Sequence, residues 1–349
     1  MTGGNLGAPT GAEFQGTYVF AGSNGYDGQF YRAIAHDPGL QRGFFLDAPR
    51  PRYRRILLPA VAWVLGLGNP RRIDAGYIAA VFGFVFLGAY GIARWAVLHR
   101  QSASWGLGFL AIPATIVSVA RMTPDVALAA LCCLWALFSE EAKTWKPYSL
   151  LVVIPFVRET GVLLNAAAAI SEARAREFRR ASLVLATLIP YGVWLIVVSK
   201  RTQPDPTNWF QYVPGAGILT ALWSGPSERT DLPVRAIVMA FDYMALCGIV
   251  LATGLALYLW QRDQKDKLAL AALLFALLAL ATGRDDVWAH VFSFGRVFSP
   301  LLLLLGMRAI AGRQLLLLAP LLLVVPRVLV ELTPLSLGIL RGLAQQRAG

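Results

Sequence analysis

The chain has 349 residues, of which 56% are hydrophobic and 15% charged, with a formal net charge of +12 at pH 7. Apolar stretches with few charges recur from Ile56 to Leu343, which excludes an ordinary soluble globule and describes a polytopic α-helical membrane protein. The Arg and Lys residues sit mainly in short loops between those stretches, so membrane topology and anionic headgroups account for the charge and no nucleic-acid partner is expected.

Cys132, Cys133 and Cys247 fall inside apolar stretches, and the histidines show no metal-ligand spacing, so neither a disulfide framework nor a zinc site is expected. No phosphate-binding Gly-rich loop or Ser/His/Asp arrangement is visible. With no linker or charge block dividing the chain, the expected fold class is all-α, a polytopic transmembrane helical bundle forming a single membrane domain. Its parts are a non-cytoplasmic N-terminal loop at 1–55, an interfacial helix at 56–72 and a multi-helix transmembrane region at 73–349.

In chain order, the polar first region contains Tyr26-Asp27-Gly28-Gln29-Phe30-Tyr31, a carboxylate between aromatic flanks, and ends in a run with Arg50, Arg52, Arg54 and Arg55. Ile56 to Gly68 is mostly apolar around Trp63 but shorter than the roughly 20 residues a spanning helix needs, so it is placed in the interface. Helical segments are predicted at Ile73 to Leu98, Trp105 to Ala120 and Val126 to Phe138. A broken pair follows at Tyr148 to Val157 and Gly161 to Ile170, then Ala181 to Ser199. The remaining segments are Ala236 to Trp260, Leu268 to Ala281, Val291 to Met307 and Leu315 to Val330.

If these alternate across the membrane, the loops at Arg94 to Arg100, Glu140 to Lys146, Glu172 to Arg180, Arg262 to Lys267 and Arg308 to Arg313 share one face and hold 13 Lys or Arg. The loops around Arg121, Arg158 and Arg284 hold one each, so the basic face is read as cytoplasmic and residues 1–55 as outside, with the loop containing Pro204 to Phe210. A polar tail with several arginines must then cross the membrane with no leading apolar helix, and a helix preceding Met1 is expected.

That topology gathers Asp27, the arginines at 50–55, Arg121 with Asp125, Arg158 with Glu159, Arg284 with Asp285 and Asp286, His290 and Arg296 on the outer face. Ionisable groups at membrane depth are costly and mark function by default. Asp125 also reads as the start of a helix after a tight turn at Pro124, favoured by the positive helix N-terminus. Arg158 and Glu159 interrupt an apolar stretch at Gly161, either lining a wet cavity or pairing between helices. Arg296 stands among apolar residues, where a guanidinium requires phosphate, carboxylate or water.

With Asp27 in its YDGQFY string, the basic stretch Arg52 to Pro59 after it, and arginines on later helices, the chain resembles the C-type membrane glycosyltransferases, the GT-C superfamily. It departs from that pattern in lacking a transmembrane helix before the Asp27 loop and a soluble C-terminal domain. The resemblance implies a GT-C-like bundle in a bacterial inner membrane, acting in the cell envelope on its non-cytoplasmic face. It implies transfer of a sugar from a polyprenyl-phosphate donor to an unknown acceptor, sometimes with a divalent metal, Mg or Mn. Asp27 would be the catalytic base, and Arg54, Arg55, Arg158, Arg284 and Arg296 would hold the donor phosphate. Tyr26, Gln29, Tyr31, Arg121, Asp125, Glu159 and His290 would support them, with Phe30 available to stack on a sugar.

The alternative is a transporter or flippase for an anionic lipid or solute, using the same charges along a pathway. No internal repeat relates the two halves, which counts against it. Asp242, inside an apolar segment, fits either reading.

Overall fold

The computed structural model describes residues 2–3, 19–20, 25–41, 46–140, 145–204, 213–224 and 234–348. Residues 4–18, 21–24, 42–45, 141–144, 205–212 and 225–233 lie outside them, among them Lys143 and most of the Pro204 to Phe210 stretch. Apart from a two-residue parallel ladder between Thr2–Gly3 and Val19–Phe20, the regular structure among the described residues is helical.

Contacts group the chain into two compact units, one of Met1–Leu110 with Arg121–Thr207 and one of Ala111–Ala120 with Asn208–Gly349. The first carries α1 (Gly28–His36), α2 (Pro49–Arg54), α3 (Leu57–Leu65) and α4 (Pro70–Leu98), followed by a 3-10 helix at Ala103–Ala111. After α5 (Pro113–Arg121), which belongs to the second unit except for Arg121, it continues with α6 (Asp125–Glu140), α7 (Lys146–Val153), α8 (Val162–Arg174), α9 (Phe178–Ala186) and α10 (Ile189–Arg201). The second unit adds α11 (Ala216–Ser224), α12 (Val234–Arg262), α13 (Lys267–Ala281), α14 (Asp285–Trp288), α15 (Val291–Val297), α16 (Ser299–Gly312) and α17 (Ala319–Ala348).

Four helical stretches are long and apolar enough to cross a membrane: Pro70–Leu98, Phe178–Arg201, Ala236–Arg262 and Leu315–Thr333. Two bent pairs, Ala103–Ala111 with Pro113–Arg121 and Val291–Val297 with Ser299–Gly312, raise the number to six if each is one span. α4 shows the physical pattern: Ile73, Tyr77 and Val81 are buried, whereas Ile78, Phe82 and Phe86 are exposed. So many large apolar side chains left bare would be an aggregation hazard in water and are the ordinary surface of a helix in lipid. The chain is a helical integral membrane protein.

The structure departs from the sequence reading mainly at prolines. Trp105 to Ala120 is not one helix but a 3-10 helix followed by α5, which starts at Pro113. Ala181 to Ser199 lies within the one candidate span Phe178–Arg201, interrupted only by a two-residue turn at Thr187 and Leu188 before Pro190, whereas Val291 to Met307 divides at Phe298 before Pro300, with a 54° bend. Proline lacks an N–H and disfavours helical geometry in the residue before it, so each of these prolines opens a new helix instead of continuing the old one. Ser299 satisfies the backbone at the second bend, its hydroxyl donating to Gly295 O and accepting from Ala114 N, both at 2.8 Å. The N-terminal region expected as loop contains α1 and α2, because Phe30, Tyr31, Ala33, Ile34 and Ala35 give the first of them an apolar surface to bury. The expected interfacial helix is α3, which packs on α4 through Leu58 and Ala62 and leaves Trp63, Val64 and Leu65 exposed.

Asn69 starts α4, its side chain accepting from Arg71 N at 2.9 Å ahead of Pro70. α6 is the core of the first unit, with every residue from Asp125 to Leu137 buried. In the second unit α12 and α17 are joined by a buried charge cluster: Arg327 donates Nε to Asp242 Oδ1 at 2.6 Å and a terminal nitrogen to Glu331 Oε2 at 2.7 Å. Asp242 and Arg327 are both within candidate spans and only 2% and 1% exposed. Removing one partner of such a pair leaves the other as an unmatched buried charge. Arg327→Met is therefore expected to destabilise the protein by about 3 kcal/mol or more, and the double replacement with Asp242→Leu to recover most of that loss, as read by thermal unfolding in detergent.

Candidate functional site

The residues of Tyr26 to Tyr31 each have a distinct physical task in the first unit. Gly28 opens α1 where a Cβ would come within 1.9 Å of the Arg121 carbonyl oxygen, so this helix meets the 121–123 turn with no room for a side chain. Met122 in that turn has a φ of 57°, and its carbonyl accepts the Tyr77 hydroxyl at 2.9 Å. Gln29 folds its side chain against Gly25, whose φ of +71° suits glycine. The Tyr26 ring lies 5.4 Å from the Arg121 guanidinium, and the Phe30 and Tyr31 rings lie 4.8 and 5.5 Å from that of Arg52.

Asp27 is the remaining member. Its Oδ1 accepts from Arg52 at 2.9 Å, and the same guanidinium nitrogen donates to Asp47 Oδ2 at 2.8 Å. Arg52 sits in the 49–54 run that Pro49 sets into helix, and Arg50 fastens that run to α10 by donating to the carbonyls of Ser199 and Thr202. Trp194 of α10 adds a hydrogen bond to Tyr53 O at 2.9 Å. The carboxylate expected from sequence to be catalytic is thus bound by Arg52, two residues before the first of the arginines assigned to the phosphate.

The Tyr31 hydroxyl links this pair to a second one. It accepts from Arg55 at 3.0 Å and from Arg52 at 3.4 Å. Arg55, 5% exposed, forms a bidentate bond with Glu159 at 3.0 and 2.5 Å. Arg158 and Glu159 reach different partners: Arg158 is extended, with φ −161°, and donates to Asp125 at the start of α6, while Glu159 accepts from Arg55. The chain breaks around them into short 3-10 helices at Ile154–Phe156 and Glu159–Gly161. Irregular backbone of this kind is tolerated in a membrane protein where protein surrounds it.

Burial opposes the charges of Arg52 and Arg55, but Tyr31 with Asp27 in one case and Glu159 with Tyr31 in the other more than offset it, holding both guanidinium groups above their ordinary range. Burial would raise the Glu159 carboxyl; the Arg55 charge and hydrogen bonds, with Arg158 behind them, bring it down to about 2. Arg54 has no carboxylate partner among the described residues, and the Tyr191 hydroxyl is buried with no hydrogen-bond partner within electrostatic reach of Arg54, Arg55 and Glu159. The Thr160 hydroxyl is buried and unpartnered as well.

Of the residues expected from sequence, Tyr26, Asp27, Gln29, Tyr31, Arg54, Arg55, Arg121, Asp125, Arg158 and Glu159 all belong to the first unit. Arg284, His290 and Arg296 belong to the second: Arg284 binds Asp286 at 2.7 and 2.6 Å, His290 is exposed ahead of α15, and Arg296 is half-buried within α15. The sequence reading overlooked Arg52 and Asp47 as partners of Asp27. It also overlooked Asp74, which takes both Arg32 nitrogens at 2.7 and 2.6 Å and His36 Nε2 at 3.1 Å, tying α1 to α4. Two signals pointed there: Arg32 and His36 are four apart in one helix, and Asp74 is the lone carboxylate of its apolar segment.

Comparisons with protein-family models, with curated proteins and with solved structures find no match to this chain. The donor set does not suit a divalent cation: among the described residues no three His, Cys, Asp or Glu side chains converge, and the Arg52 guanidinium bridges Asp27 and Asp47.

Two measurements test this geometry. Gly28→Ala must displace the Arg121 backbone and is expected to cost about 1–3 kcal/mol in thermal unfolding. Because the Glu159 carboxyl is lower in the folded protein than its ordinary 4.5, its stabilisation is complete above about pH 4.5 and is lost as pH falls towards 2. Glu159→Gln should therefore lower the melting temperature by a constant amount from about pH 8 to pH 5, with the gap narrowing only at lower pH.

Proposed function

We propose that this protein is a membrane glycosyltransferase that moves a sugar from a polyprenyl-phosphate carrier to a hydroxyl acceptor on the non-cytoplasmic face. The observation that carries the reading is the construction around Asp27: a part-exposed carboxylate set at the head of a short helix, with arginines clustered behind it. Its side chain is 21% exposed, whereas that of Arg52 is 12% and that of Arg55 6% exposed. A group that only closed an ion pair would have no need of a motif in which glycine, glutamine and three aromatics fix its position.

In the proposed step Asp27 takes the proton of the acceptor hydroxyl, whose oxygen attacks the anomeric carbon as the bond from that carbon to the phosphate oxygen breaks. The electron pair leaves with the lipid phosphate, whose growing charge needs fixed cations in place beforehand. Arg55 and Arg158 are already neutralised by Glu159 and Asp125, so Arg54 is the guanidinium left to meet the phosphate, with the Tyr191 and Thr160 hydroxyls as further donors. A lipid-linked donor suits this place, because the charged α2 runs within a few residues into the apolar α3, whose Trp63, Val64 and Leu65 are exposed. A transporter or flippase would use the same cations, but a pathway needs charge that is free to bind and release, and here the buried cations are locked to carboxylates.

The test is release of polyprenyl phosphate from a panel of polyprenyl-phosphate sugars by full-length protein in lipid nanodiscs. Asp27→Asn keeps an acceptor for Arg52, so it should leave the melting temperature close to wild type while lowering turnover by about 10²- to 10⁴-fold. Undiminished turnover in the variant would remove Asp27 from the chemistry, and a folded wild type inert towards every donor and acceptor would favour transport.

A further inference from the structure

A cavity of about 300 Å³ in the second unit is lined by Leu259, Arg262, Asp263, Asp266, Arg308 and Gln314. Its depth in the membrane follows from the helices that end at it. The candidate span Ala236–Arg262 finishes in the cavity wall, and the span Leu315–Thr333 begins one residue after Gln314. Both therefore meet their polar ends there, at the level of lipid headgroups. Next to the lining residues in sequence, Tyr258, Leu315 and Leu316 are exposed at 52%, 63% and 73%, an apolar and aromatic border of the kind found at the membrane interface.

The lining carries both signs of charge in a fixed arrangement. Asp266 is held twice, its Oδ1 accepting from Leu268 N at 2.9 Å at the head of α13 and its Oδ2 lying 2.7 Å from Arg308 Nε. Asp263 accepts from Lys265 N at 3.0 Å, which aims the carboxylate without neutralising it. Neither Arg262 nor Asp263 has an ion-pair partner among the described residues. The cavity thus offers one uncommitted guanidinium and one uncommitted carboxylate side by side, at headgroup depth and with an apolar border. A doubly anionic headgroup would meet Asp263 unfavourably, and a purely cationic ligand would meet Arg262.

We propose that this cavity binds the headgroup of a phospholipid that carries a phosphate and a primary ammonium, phosphatidylethanolamine, with Arg262 on the phosphate and Asp263 on the ammonium. The acyl chains lie over the exposed apolar residues bordering the cavity. The site is independent of glycosyl transfer.

Native mass spectrometry of the full-length protein, delipidated and then offered phosphatidylethanolamine and phosphatidylglycerol in equal amounts, tests it. The wild type should retain phosphatidylethanolamine preferentially. Arg262→Gln should weaken that retention about tenfold or more, the loss of a charge-assisted hydrogen bond. Asp263→Asn should bring the two lipids to equal retention. Both positions are exposed at helix ends, and an unchanged melting temperature verifies folding for each variant. Equal retention of both lipids by the wild type, or unaltered retention in folded Arg262→Gln, would overturn the proposal. So would competition by soluble glycerophosphoethanolamine as strong as that of the lipid, since the acyl chains would then contribute nothing.

Discussion

A guanidinium removed from water must be matched by a carboxylate, and the first unit is organised around that requirement at Arg55. With 5% of its surface exposed, this residue cannot be left alone, and Glu159 is brought to it across more than a hundred residues of chain. To reach it, the backbone abandons regular helix between Phe156 and Val162. The same turn then sends Arg158 the other way, to Asp125 at the head of α6. One broken segment thereby ties α2 and α6 together, and Tyr31, donated to by Arg52 and Arg55, ties α1 to the same point.

This arrangement explains why a short polar motif can have a defined shape in a protein whose bulk is apolar helix. Hydrophobic burial alone discriminates weakly between arrangements in lipid, because the solvent is itself apolar. Charged pairs do discriminate, since any arrangement that separates them leaves a charge without water or partner. The Asp74 cluster with Arg32 and His36 acts on α1 from the other side, and the Arg327 cluster with Asp242 and Glu331 does the same for α12 and α17 in the second unit. In each place the polar contact selects which helix faces meet, and the apolar surface around it fills in.

Charge matching also sorts the cations by what they can do. Arg55 and Arg158, committed to carboxylates, shape the field of the candidate site and keep its walls in place. Arg54 and the Tyr191 hydroxyl remain available for an incoming group. Asp27 lies between these roles, bound on one oxygen by Arg52 yet partly exposed. For the proposed reaction this is a useful state, a carboxylate positioned in advance whose surroundings need not rearrange when the proton moves.

The sequence by itself determined the class of the protein and most of its helices. Apolar stretches of spanning length with charge confined to their ends have few other stable outcomes, since only hydrogen-bonded backbone persists in lipid. It also singled out Asp27, the Arg158 and Glu159 interruption and the arginines after Pro49, because charges and glycines among apolar residues are conspicuous. Tertiary structure alone decided which charge meets which. Nothing in the spacing of Arg52, Arg55 and Arg158 distinguishes their partners Asp27, Glu159 and Asp125, and adjacent Arg158 and Glu159 look like a pair until the chain turns them apart. The helix breaks at Pro113 and Pro300 likewise depend on a distant partner, Ser299, whose hydroxyl accepts from Ala114 N and donates to Gly295 O. Composition and periodicity are local properties that one stretch of chain expresses on its own, whereas pairing between distant charges depends on the distance that folding leaves between them.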